Sequence, residues 1–210
     1  MLEQRRHQRI RFGNTPLVRV GYAGKVYEGR IENLSLFGLM ARSPVPFEIG
    51  RNVGCEFRIP GAQLIDIPAT VVSRVGDLFG VRFLHGPLSQ MLIDDAISSS
   101  LNSGKAAILS VHELAGRKVM RIIGGLNGGL RADFMHALTR VGIDEIELSG
   151  VTHVEQAGIA LCMVAKSRYG VLLGEQSAIF AEAWNLAMAA PGGLEKNDDW
   201  GTDTQVLPAG

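Results

Sequence analysis

Two short clusters hold the residue types from which a binding site could be made. Arg5-Arg6-His7-Gln8-Arg9-Ile10-Arg11 places four arginines in seven residues, with Arg5 and Arg9 four apart. A guanidinium binds phosphate and the O6/N7 edge of guanine through two parallel hydrogen bonds, and it stacks on bases. An arm with several of them suits an anionic, guanine-bearing ligand. Asn33-Leu34-Ser35-Leu36-Phe37-Gly38 follows, an N-x-S-x-x-G run. Asn33 and Ser35 offer short polar groups, and Gly38 permits positive φ or a close ligand approach.

Other candidates do not combine. His7, His85, His112, His136 and His153 are scattered without metal-ligand spacing, so no metal is expected. Gly124-Gly125-Leu126-Asn127-Gly128-Gly129 leads into a helix but lacks the Lys-Ser/Thr of a phosphate loop and the G-x-G-x-x-G of a dinucleotide site. Asp94-Asp95 read as solvated helix residues. No catalytic set emerges, and an enzyme is not expected.

The elements that must position the two clusters are strands. Val18, Val20 and Tyr22 alternate before an Ala23-Gly24 turn; Ile65, Ile67, Ala69, Val71, Ser73 and Val75 hold period two; Phe79, Val81 and Phe83 close the set. Six short strands with Gly, Pro and Asn between them predict an antiparallel barrel or sandwich over residues 3–86. From Leu88 the period becomes helical, with Ile93, Ile97 and Leu101 four apart, and Ser98–Gly104 reads as a linker. Strands at 107–111, 118–123 and 145–148 then alternate with helices at 130–141 and 156–169, and a last strand and helix are expected at 171–173 and 177–189. That alternation predicts a separate α/β domain over 105–190. Residues 191–210 carry four acids to one base and little to bury, which predicts a disordered tail.

Composition limits the function classes. The 210 residues are 46% hydrophobic and 20% charged, enough for one large core or two small ones. Net charge is zero, divided as +3 over residues 1–100 and −3 over the rest. This is too weak a field for a general nucleic-acid binder. No apolar run reaches the ~20 residues of a membrane span, and no secretory signal is visible. A cytoplasmic protein is expected. Cys55 and Cys162 lie far apart, which suggests two reduced, buried thiols.

Taken together, R-x-x-x-R before the first strand, N-x-S-x-x-G between two later strands and a closing Phe79-Gly80-Val81-Arg82-Phe83 resemble the PilZ family over about residues 3–100. These are receptors for cyclic di-GMP built on a six-stranded barrel. The resemblance implies that Arg5 and Arg9 grip guanine and phosphate, and that Asn33, Ser35 and Gly38 receive a guanine and its neighbouring phosphate. Arg6 and Arg11 are further candidates that the motif does not specify. Farther on, Ile146-Glu147-Leu148-Ser149-Gly150-Val151-Thr152-His153-Val154-Glu155-Gln156-Ala157-Gly158-Ile159 resembles the STAS signature of anti-sigma-factor antagonists, D-L-S-G-V-T-x-I-D-S-A-G-L. The aspartate–serine pair of that family, whose serine is the usual phosphorylation site, is Glu155-Gln156 here.

These readings predict a signalling adaptor. Cyclic di-GMP binds the barrel, the arginine arm orders on binding, and a protein partner is engaged through the STAS-like domain; the oligomeric state stays open. The alternative is an interaction scaffold that needs no nucleotide, with a barrel binding nucleic acid ranked last.

Overall fold

A right-handed strand twist favours two-residue hairpin turns with positive φ, and the first hairpin uses one. β2 (Leu17–Tyr22) and β3 (Lys25–Ser35) are joined by Ala23 at φ 50° and Gly24 at φ 74°. The computed structural model describes residues 8–84 and 86–189. After β3 come β4 (Gly38–Arg42), β5 (Asn52–Phe57), β6 (Ile65–Val75) and β7 (Leu78–Phe83). These six strands close an antiparallel barrel in the order β2-β3-β4-β7-β6-β5, one of the two architectures that the alternation allowed and the one that the resemblance implied. Val18, Val20, Ile31, Ile67 and Val71 fill its interior, and Phe47 packs against Tyr22, Tyr27 and Phe79.

Two bulges break the alternation. In β3 the pairing passes from Ile31 opposite Ala41 to Asn33 opposite Met40, so Glu32 is extra. Because side chains alternate with period two, one extra residue exchanges the faces beyond it. Leu34 therefore joins Ile31 in the core, leaving Asn33 on the outer side. In β6 the same shift falls between Val71 and Ser73. The expected inward run Ile65–Val75 accordingly stops at Val71, and Val75 is 77% exposed.

The remainder forms a second layer. α1 (Pro87–Asn102) leads to a sheet of β8 (Ala106–Leu114), β9 (Arg117–Leu126), β10 (Glu145–Val154) and β11 (Leu172–Gln176). β8 and β9 pair antiparallel, whereas β10 is parallel to both β9 and β11. Between β9 and β10 the chain makes a 3-10 turn (Gly128–Leu130), helix α2 (Arg131–His136) and a π turn (Ala137–Val141), where one regular helix was expected. The wide turn closes through Gly142 N donating to Ala137 O at 3.0 Å. α3 (Gln156–Tyr169) and α4 (Ala178–Ala189) follow, and Phe134, Cys162 and Phe180 from the three helices share a core with Met120, Ile146 and Leu148.

Two expectations about the junction are corrected. Ser98–Gly104, read as a linker, is helical through Asn102, because its serines find partners that a solvated linker would lack. Ser100 is fully buried and donates to Pro60 O at 3.0 Å, and Thr152 Oγ1 donates to Leu101 O at 2.7 Å. The start of the chain is not a free arm from Ile10 onward either. Ile10 and Phe12 are buried, and Arg11–Phe12 form β1, which leaves the barrel to pair antiparallel with Ala106-Ala107 of β8. The tail expected at 191–210 lies outside the described residues.

Candidate functional site: a basic groove on the barrel

Beyond its bulge, the β3–β4 hairpin ends against β7, and a groove of about 340 Å³ opens there. Its lining includes Arg9, Asn33, Ser35 and Gly38, so four of the expected binding residues come together. The positioning is explicit. Ile10 exchanges backbone hydrogen bonds with Leu34 (2.8 and 3.2 Å), which seats Arg9 beside the end of β3. Asn33 points outward by virtue of the bulge, and Ser35 Oγ donates to Gly38 O at 3.1 Å across the turn. Arg5 and Arg6 lie outside the described residues, as do His7 and His85.

Asn33 is only 5% exposed, yet its side-chain amide makes no hydrogen bond with any described residue. A buried amide without a partner has lost its hydration and gained nothing in return. Such a group is prepared for a ligand that supplies both a donor and an acceptor. Gly38 and Gly80 are in the lining, with Met40 and Val72 bordering it. Among the described residues no acidic side chain is in the lining, whereas two guanidiniums, Arg9 and Arg82, are within it or at its edge.

Arg82 is the residue that sequence reasoning passed over. It sits directly opposite Gly38 in the β4–β7 pairing, is exposed, and makes no hydrogen bond or ion pair with a described residue. Its position between buried Val81 and Phe83 on a period-two strand was the available signal. Arg42, one strand away, is different. It is held by Asp77 and Glu32, and its hydrogen bonds keep the Asp77 carboxyl below the ordinary carboxylate range.

Two sequence expectations change in role. Gly38 does not have a positive φ. A Cβ there would stand 3.3 Å from Arg82 Cα, 3.2 Å from Val81 C and closer still to Val81 O, so β7 is what demands glycine. Arg11, a further ligand candidate, is absent from the groove lining. Its Nε is paired with Asp133 Oδ2 at 2.8 Å and its Nη1 donates to Glu32 O at 3.3 Å, tying β1 to α2. Among the described residues, no three metal-binding side chains converge.

The family model of the PilZ domain matches residues 3–98. No curated protein matches the chain. Among solved structures, the chain is similar to the PilZ domain with c-di-GMP of YcgR from Escherichia coli, at 18% identity and a TM-score of 0.40, over 47% of this chain and 92% of that one. It is also similar to the Bacillus subtilis inhibitor of motility (MotI/DgrA), at 17% identity and a TM-score of 0.40, over 48% of this chain and 53% of that one. A third is the Borreliella burgdorferi PlzA protein in complex with c-di-GMP, at 20% identity and a TM-score of 0.35, over 45% of this chain and 41% of that one. The chain thus spans about half or less of the last two. Residues 3–98, which the PilZ domain model matches, contain the closed six-stranded barrel.

Proposed function

We propose that this chain is a receptor for cyclic di-GMP, which it binds in the barrel groove. The observation that carries this reading is Asn33: a nearly buried amide without a described partner, in a groove that has arginines and no acid in its described lining. A guanine edge offers the donor and acceptors that such an amide requires, and the phosphates of the ligand match Arg9 and Arg82. Arg5 and Arg9 of the R-x-x-x-R motif grip base and phosphate, with Arg6 as an auxiliary. Ser35 and Gly38 complete the seat. The structures of YcgR and PlzA are described with c-di-GMP, which agrees with this assignment.

The output belongs to the α/β domain over 105–190, connected through α1. Its resemblance to STAS domains at Ile146–Ile159 suggests a protein partner, and Glu155-Gln156 leaves the usual phosphorylation position without a hydroxyl. Control then arrives through nucleotide rather than through a kinase at that position. The chain acts as a cytoplasmic adaptor without catalysis.

Calorimetric titration of the full chain with cyclic di-GMP tests the reading. Saturable binding is expected, with Arg9→Ala and Asn33→Ala each weakening it by roughly 10-fold or more, the value of a hydrogen bond to a charged or buried group. No heat at ~100 μM ligand, well above the micromolar range where a specific complex would saturate, overturns it.

A further inference from the structure

A second polar cavity lies where the α/β sheet meets the barrel. The end of β10 and the segments after β9 and β10 form one side of it, through His153, Asn127-Gly128-Gly129 and Glu155. The other side is Gly13-Asn14, Pro60 and the α1–β8 connection Ser103-Gly104-Lys105. Its volume is about 330 Å³, close to that of the barrel groove. The carboxyl ends of parallel strands are where open α/β sheets place ligands, because loops and helix starts converge there.

Asn127 is 3% exposed. Its Oδ1 accepts from Gly129 N at 2.9 Å, which orients the amide. Nδ2 then has no acceptor among the described residues, so a buried donor faces a cavity without a partner. Lys105 and His153 are exposed in the same lining and likewise make no hydrogen bond or ion pair with a described residue. At the start of α3, Glu155 provides no side-chain cap, and Gly158 N donates to Glu155 O at 2.9 Å, so the Glu155 carboxylate stays at the cavity. One acid and two basic side chains line the space. Asn127 Nδ2 and Lys105 Nζ are unspent donors in this lining, and a phosphate is the small group that accepts from several donors at once.

We propose that this cavity is a second ligand site, separate from the barrel groove, that takes a small phosphate-bearing anion. Asn127 Nδ2 and Lys105 Nζ donate to the phosphoryl oxygens and His153 closes the third side. Glu155 accepts from a hydroxyl of a phosphate monoester. A ligand here touches barrel, α1–β8 connection and sheet together, so its occupancy fixes the two domains against each other.

The test is phosphorus NMR on the full chain, following line broadening of inorganic phosphate and of glycerol phosphate at matched concentrations. Specific broadening that saturates is expected for the wild type. Asn127→Asp keeps the acceptor that holds Gly129 N but removes the Nδ2 donor and adds negative charge; it should abolish binding while the melting temperature shows that the fold survives. Lys105→Ala should weaken binding about 10-fold. Arg19→Ala, which removes a surface cation outside the cavity, should leave it unchanged. Tighter binding of glycerol phosphate than of inorganic phosphate identifies a monoester ligand; equal binding identifies free phosphate. Absent saturation, or broadening that persists undiminished in Asn127→Asp, overturns the proposal.

Discussion

Replacing Gly38 by alanine separates two explanations for the same residue. If glycine is there for the ligand, Gly38→Ala folds normally and binds poorly. The β4–β7 geometry argues otherwise. The new Cβ would meet Val81 C at 3.2 Å and Arg82 Cα at 3.3 Å, and would press harder on Val81 O, all of it backbone and none able to swing aside. Overpacking of this kind costs about 1–3 kcal/mol, here at the upper end because a strand must move. Moving β7 also loosens the Phe83 N to Phe37 O bond of 2.9 Å, worth about 1 kcal/mol net. The lower entropy of an unfolded alanine returns about 0.4–1 kcal/mol. The net destabilisation is about 2–4 kcal/mol. For a chain of this length each kcal/mol lowers Tm by roughly 2–4 °C, so a fall of about 5–15 °C is expected in calorimetry. Gly54→Ala is the control: nothing lies within 4 Å of a Cβ there, and its effect should stay within about 0.5 kcal/mol. A Gly38→Ala protein melting within a degree of wild type would falsify the steric account and return Gly38 to the ligand.

The remaining expectations concern the ties and the thiols. The half-exposed Arg11–Asp133 pair should show a coupling of about 0.5–1 kcal/mol in an Arg11→Ala/Asp133→Ala double-mutant cycle by urea unfolding; strict additivity would mean that β1 holds without it. Burial pushes both the Cys55 and Cys162 thiols up to about 12, so at pH 8 a disulfide reagent should find no fast-reacting thiol in the native protein and both in urea. Rapid native labelling of either would show that its core opens far more readily than its burial implies.

Much of the barrel was readable because alternation is a local property: Ile65, Ile67, Ala69 and Val71 face inward as their spacing requires. The bulges were not readable. Nothing in Ile31-Glu32-Asn33 or Val71-Val72-Ser73 signals an extra residue, since a bulge depends on what the partner strand leaves room for. Asn33 and Ser35 were picked out by residue type and spacing, but the burial of Asn33 follows from the bulge. Arg82 could have been found by alternation alone. Ser98–Gly104 was misread because small polar residues signal a linker only when they lack tertiary partners, and Ser100 has one in Pro60. β1 left no trace at all, because two residues are too few to display a period.

β1 also imposes an order on synthesis. Arg11 and Phe12 leave the ribosome early, but Ala107 and Ala106, the residues they pair with, are made roughly 95 positions later. The last barrel strand ends at Phe83 and β8 begins at Ala106, so at about 5–20 residues per second the barrel strands can associate about 1–5 s before that edge exists. During this interval the segment that carries Arg9 is held by the Ile10–Leu34 exchange and the Arg11–Glu32 hydrogen bond, without its pairing to β8. A nascent chain would therefore acquire its barrel first and its finished groove only after the second sheet has begun to form. A stop codon placed before β8 should yield a barrel in which a protease can reach the Ile10–Phe12 segment.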